Sequence, residues 1–194
     1  MWQKKNLKKL TPLEVTCSSS DCDNNLHCFT QNIKKLTPDD DGKCKYCGAE
    51  LIDPNRIRRR DLSDIQYTFD SLKHELWRHH YWHIDIDIRA VNHAHRKGKK
   101  GMREAAEHRL EKYIGTANPL YDGRQTPKTG NIIYYAQHAT ACCCRKCIEF
   151  WHGIPMGQAL TKDQLKYFTD LVMLYIDERM PTLPEDGEYV PNLQ

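Results

Sequence analysis

Nine cysteines fall into two groups with none between them. The first is Cys17, Cys22, Cys28, Cys44 and Cys47. The second is Cys142, Cys143, Cys144 and Cys147, with His138 upstream and His152 downstream. Thiolates and imidazoles at such spacing are the donors a tetrahedral zinc ion takes. Cys44-x-x-Cys47-Gly48 has the form of a knuckle, in which two thiolates share one ion and the glycine permits the tight turn. Cys17 and Cys22 supply the expected second pair, and Cys28, beside His27, is the competing ligand. The first site is therefore expected to be Cys17, Cys22, Cys44 and Cys47, a closed set that leaves no position for catalysis. For the second site the donors are Cys143, Cys144, Cys147, His138 and His152. Three readings stay open there: structural zinc, zinc with an open position, or a reactive thiol or cluster site. The last draws on the positive charge of Arg145 and Lys146 at a helix start. The expected cofactor is zinc, two ions.

Three runs of cations accompany the cysteines. Lys4, Lys5, Lys8 and Lys9 lie at the start; Arg56, Arg58, Arg59 and Arg60 follow the first group; Arg96, Lys97, Lys99, Lys100 and Arg103 lie in the middle. Net charge is only +3 because the end is acidic, through Asp177, Glu178, Glu185, Asp186 and Glu188. Clustered Lys and Arg point to an anionic partner, nucleic acid foremost. The segment Arg96-Lys97-Gly98-Lys99-Lys100-Gly101 precedes a helix, whose free amides would suit a phosphate; its spacing is not that of a nucleotide-binding P-loop. Seven histidines, His74 to His108, fill the middle. His79 and His83 are four apart and share a helical face, but packing explains them as well as metal binding does.

These groups must be positioned by helices. Leu62, Ile65, Phe69, Leu72 and Leu76 recur at steps of three and four, predicting one helix from about Asp61 to Trp82. Ile84, Ile88 and Val91 predict a second, to about Arg96. A break at Gly98–Gly101 precedes a third, through Met102, Ala106, Leu110 and Tyr113 to Gly115. Ile132–Ala136 reads as a short strand. Thr161 and Gln164 form a capping box ahead of a stripe of Leu165, Phe168, Leu171, Val172, Tyr175, Ile176 and Met180, and the tail after Pro181 is expected to fray. The fold class is mostly α with small zinc-stabilised, loop-rich α+β modules. It divides into a zinc-ribbon-like or treble-clef-like module over 1–55, a basic helical segment over 56–115, a Cys/His metal module over 116–182 and a tail over 183–194. Charged residues make up 28% and hydrophobic ones 39% of the chain, so the core is modest and a structural metal adds needed stability. No window is apolar enough for a membrane span and no signal peptide is visible; a cytoplasmic location with reduced thiols is the expectation.

Asp122-Gly123-x-Gln125-Thr126-Pro127, Ala136-Gln137-His138-Ala139-Thr140 and Cys143-Cys144-x-x-Cys147-x-x-x-Trp151-His152-Gly153-Ile154-Pro155 carry a resemblance. Over about residues 115–180 the chain resembles an uncharacterised bacterial family marked by these motifs. The resemblance implies that His138, Cys143, Cys144, Cys147 and His152 belong together, that Cys142 is a spare thiol, and that the source is prokaryotic or phage. It implies no activity.

Two functions follow. One is a zinc-stabilised protein that binds nucleic acid or docks in a nucleoprotein assembly. The other is a metal-dependent, nuclease-like hydrolase that uses the second Cys/His site or the central histidines, with Asp122, Gln137 and His138 as nearby polar groups.

Overall fold

The computed structural model describes residues 15–120 and 123–191. The Lys4–Lys9 run and Asp122 lie outside the described residues. Seven helices are present among those described: α1 Pro54–Ile57, α2 Ile65–Lys73, α3 Leu76–His83, α4 Ile88–Tyr113, α5 Ile132–Ala139, α6 Arg145–His152 and α7 Lys162–Arg179. The mostly helical expectation holds. The β part does not: within the described residues strand pairing is limited to isolated bridges, Asp21 with Leu26, His27 with Glu75 and Lys43 with Glu50.

The expected strand at 132–136 is α5. Its β-branched and aromatic run imitates a strand, but the Asn131 side chain accepts a hydrogen bond from the Ile133 amide and caps a helix. Ile132, Ile133, Tyr135, Ala136, Gln137, His138 and Ala139 are all buried, and a helix apolar all round belongs in a core. Helix α7 packs on α4 and α5, and α3 packs on α5. The predicted capping box at Thr161 and Gln164 is formed, and Phe168, Leu171, Val172, Tyr175 and Ile176 are buried. The buried apolar cluster draws residues from Val15 through Leu183, so every segment contributes to it.

The single helix expected from Asp61 to Trp82 is two, separated at His74 and Glu75. His27 causes the break: its amide donates to His74 O (2.8 Å) and its carbonyl accepts from the Leu76 amide (2.9 Å). Glu75 is thereby held extended at φ −85° and ψ 124°.

The glycine break in the basic segment is real but small. Gly98 alone leaves the helical region inside α4, at φ 64°. The end of the chain occupies the break: a Cβ on Gly98 would lie 2.3 Å from the Asp186 carbonyl carbon. The Lys99 and Lys100 amides donate to Pro184 O (2.8 Å) and Glu185 O (3.1 Å). Leu183 is buried, so residues 183–188 form a docked strap rather than the frayed tail expected.

Asp87 ties α4 to α5. Its carboxylate accepts from the Ala90 amide (3.0 Å), the Gly130 amide (2.7 Å) and the Tyr135 hydroxyl (2.9 Å). Burial opposes its charge, but these three donors prevail and hold its pKa below the ordinary carboxylate value. Asp87→Ala is expected to reduce stability by about 1–3 kcal/mol in urea unfolding at pH 7. A depressed folded-state pKa means that this contribution is present above the unfolded value, about 3.9. It is lost as pH falls through the folded one, so wild type and variant should converge in strong acid. A constant difference down to the lowest pH would refute the assignment.

Candidate metal centres

The first donor group forms where two tight turns face each other. Asp21 and Leu26 exchange backbone hydrogen bonds of 2.6 and 3.0 Å, closing a turn that begins at Cys22 and returns at His27. Opposite it, Gly48 at φ +74° lets its amide donate to Cys44 O at 2.9 Å, which folds Cys44 and Cys47 into the expected knuckle. One ligand atom each from Cys22, His27, Cys44 and Cys47 lies within 4.8 Å of all the others. A tetrahedral ion with metal–sulfur bonds of about 2.3 Å sets its sulfurs about 3.8 Å apart. The Cys22 and Cys44 sulfurs are 3.8 Å apart, and Cys47 Sγ is 3.3 Å from His27 Nδ1. Asn25 Oδ1 lies 3.1 Å from His27 Nε2, so a proton there leaves Nδ1 free for an ion, as an outer partner of a metal-bound histidine does.

Electrostatics prepare one of these thiols. Burial opposes ionisation of Cys44, but backbone N–H groups of Cys28, Cys47 and Tyr46 bring its pKa down to about 6. Burial and the nearby Cys47 and Cys44 sulfurs push Cys22 up to about 11. Cys17, expected in the set, is exposed and outside the group; His27 stands in its place. Cys28, the competing ligand, is buried with its thiol directed at Cys17 O (3.6 Å) and Thr30 O (3.8 Å). Burial and the charge of Glu75 push its pKa up to about 12.

The second donor group is Cys143, Cys144 and Cys147, with all three sulfurs within 4.8 Å of one another. Cys144 immediately precedes α6 and Cys147 lies in its first turn. All three are buried, at 6%, 8% and 3% exposure. The hydrogen bond with Cys143 lowers the pKa of Cys144, but the hydrogen bond with Cys147 and burial outweigh it and push it up to about 12. Cys142 is separate, its sulfur 3.3 Å from Thr140 Oγ1, as befits a spare thiol.

His138 and His152 do not join this group. His138 Nε2 lies 3.1 Å from Pro127 O and His152 Nε2 2.9 Å from Thr140 O. The Nδ1 atom of each is buried without a hydrogen-bond partner. Burial, with Arg78 second for His138, lowers their pKa values to about 3 and about 4, so both rings are neutral. The His138 ring stacks on Tyr81 at 4.5 Å with the Trp77 edge at 5.3 Å.

Arg78, interleaved in the sequence with Trp77, Tyr81 and Trp82, and Glu75, which the sequence did not single out, stand beside this group, both with fully buried side chains. Arg78 Nη2 donates to Cys147 Sγ at 3.0 Å and Nη1 to Cys143 Sγ at 3.5 Å and His138 O at 2.7 Å. Its Nε donates to Glu75 Oε2 at 3.1 Å. Glu75 Oε1 accepts from the Thr30 amide (3.0 Å) and hydroxyl (2.8 Å), which joins the N-terminal turns to the second cysteine group. The i,i+3 spacing of Glu75 and Arg78 was the visible signal, but nothing local marks such a pair as buried.

Most of the candidate nucleic-acid-binding cations are engaged within the chain. Arg56 pairs with Asp64 (Nη2–Oδ1 2.7 Å). Arg58 pairs with Asp41 and donates to Phe150 O, and Arg60 donates to His152 O at 2.6 Å. Both arginines thus cap the C-terminal carbonyls of α6, where positive charge is favoured. Lys99 pairs with Asp177, Lys100 with Asp186 and Arg103 with Asp170, at 2.8, 2.9 and 2.7 Å. Arg59, Arg96 and Lys97 are exposed. Among the central histidines, His79 and His83 stack at 3.9 Å, with Nδ1 atoms on the carbonyls of Lys73 and His79. A cleft of about 560 Å³, lined in part by Leu36, Asp41, Arg58, Glu149 and Pro155, holds neither cysteine nor histidine.

Residues 66–177 match a family model described as Domain of unknown function (DUF4186). The match runs from α2 into α7 and takes in the second cysteine group but not the first. No solved structure matches the chain.

Proposed function

Because the chain belongs to the DUF4186 family, a domain of unknown function, we propose its role from the two donor groups: it is a zinc-stabilised binding protein whose partner is nucleic acid. One zinc in Cys22, His27, Cys44 and Cys47 fixes the N-terminal turns, and a second in Cys143, Cys144 and Cys147 fixes the start of α6. The burial of the second group carries the choice of binding over catalysis. At 8% exposure or less for each cysteine, an oligonucleotide or nucleotide would have to pass through the core to reach the ion. The nuclease-like alternative has less support, because the cleft is elsewhere and His79 and His83 are bonded to backbone carbonyls. The anionic partner is supported by the exposure of Arg59, Arg96 and Lys97. The other cations of the runs hold the fold together and contribute less.

The test is fluorescence anisotropy with labelled single- and double-stranded oligonucleotides over a salt series. Arg96→Ala/Lys97→Ala should weaken duplex binding and reduce the slope of log K against log salt by about 2, since each phosphate contact adds about 0.9. No binding at low salt, or an unchanged slope, would move the reading to docking on a protein.

A further inference from the structure

The second donor group has three protein ligands and an unusual neighbour. Its sulfurs, all within 4.8 Å of one another, fit the edges of a single tetrahedral ion, about 3.8 Å. An iron–sulfur cluster takes at most two cysteine thiolates on any one iron, so three would be spread over at least two irons and spaced more widely. No fourth His, Cys, Asp or Glu among the described residues adds an atom to the group. Three thiolates on a divalent ion carry one net negative charge, in a core where an unbalanced charge is costly.

Arg78 is placed to offset it. Its guanidinium is fully buried, and donates to Cys147 Sγ at 3.0 Å and to Cys143 Sγ at 3.5 Å. The planar fork addresses two sulfurs with two different nitrogens, which a lysine could not do. Glu75 and His138 O fix the fork from the other side. The hydroxyl of Tyr81, stacked on His138, and His138 Nδ1 are buried polar atoms without a hydrogen-bond partner.

We propose that Arg78 is the positioning residue of a single-ion, three-thiolate site: it orients the Cys143 and Cys147 sulfurs and balances the charge of their complex with a thiophilic divalent ion. No fourth protein ligand takes part. The proposal rests on the metal reading of the second group given above.

The experiment uses full-length protein loaded with zinc or cobalt(II), with ions counted and affinities taken from chelator competition. Cys147→Ser identifies which ion belongs to the second site. Glu75→Gln/Arg78→Met removes both charges of the buried pair and so leaves the net charge of the core unchanged, and its folding is checked by circular dichroism. It should bind the second ion about 10–100-fold more weakly, the usual effect of losing an outer partner of a metal ligand. The thiolate-to-cobalt charge-transfer band of that site should shift, while the first site is unaffected. Arg78→Lys should give a smaller loss and an intermediate band. Two ions bound with wild-type affinity and an unshifted band in the double variant would overturn the role of Arg78. A single ion in wild type, retained in Cys147→Ser, would instead overturn the metal reading of the second group, and the proposal with it.

Discussion

Glu75→Ala should destabilise the protein by about 3–5 kcal/mol, the usual loss when one partner of a buried ion pair is removed. For a chain of this size that corresponds to a fall in Tm of roughly 6–20 °C. The effect is large because the carboxylate has three jobs at once. It pairs with Arg78 at 3.1 Å and accepts from both the amide and the hydroxyl of Thr30. Removing it takes one of the two anionic partners from the buried Arg78, leaving only the sulfurs, and frees the N-terminal turns from α3. Burial alone would discourage the Arg78 charge; the sulfurs of Cys147 and Cys143 and the carboxylate of Glu75 outweigh it and raise its pKa further. Thermal and urea unfolding of wild type, Glu75→Ala and Glu75→Gln/Arg78→Met measures the effect. The double variant should recover much of the loss, since a neutral pair replaces a half-broken one. A single-variant loss below about 1 kcal/mol, the range of a surface pair, would show that the ion pair is solvated.

Loss of the first metal site should be larger still for the segment it holds. His27→Ala and Cys44→Ser should each remove one of two bound zinc ions, while Cys17→Ser retains both. The N-terminal turns have little apolar core of their own; Phe29, Ile52 and Ile57 are among the few large buried side chains nearby. In such modules metal affinity is folding free energy, about 10–16 kcal/mol for structural zinc in isolated fingers. Fast hydrogen exchange at Cys44, Gly48 and Leu26, whose amides are bonded in the turns, and early proteolytic cleavage before Asp53 should follow. Zinc counting with limited proteolysis reads both effects. Two ions in His27→Ala and one in Cys17→Ser would restore the four-thiolate set and remove histidine from it.

These outcomes separate the two levels at which the protein is specified. The sequence by itself determined what depends on neighbours a few residues apart. The Cys44–Cys47 knuckle, the proximity of Cys143, Cys144 and Cys147, the Thr161–Gln164 cap, the stripe of α7 and the breaking glycine at 98 were all legible, because spacing alone places those groups together. What the tertiary structure decided involves long separations. His27 rather than Cys17 completes the first donor set because the turn at Asp21–Leu26 brings the chain back onto the knuckle. His27 also splits α2 from α3, a break invisible in a periodicity that runs straight through it. The run at 132–136 becomes a helix because it is covered on all sides, where side-chain type no longer distinguishes strand from helix. Arg58, Lys99, Lys100 and Arg103 read as a free basic surface, yet their partners come from distant segments. A charge is solvated or paired according to what folds against it, and one-dimensional spacing carries no record of that.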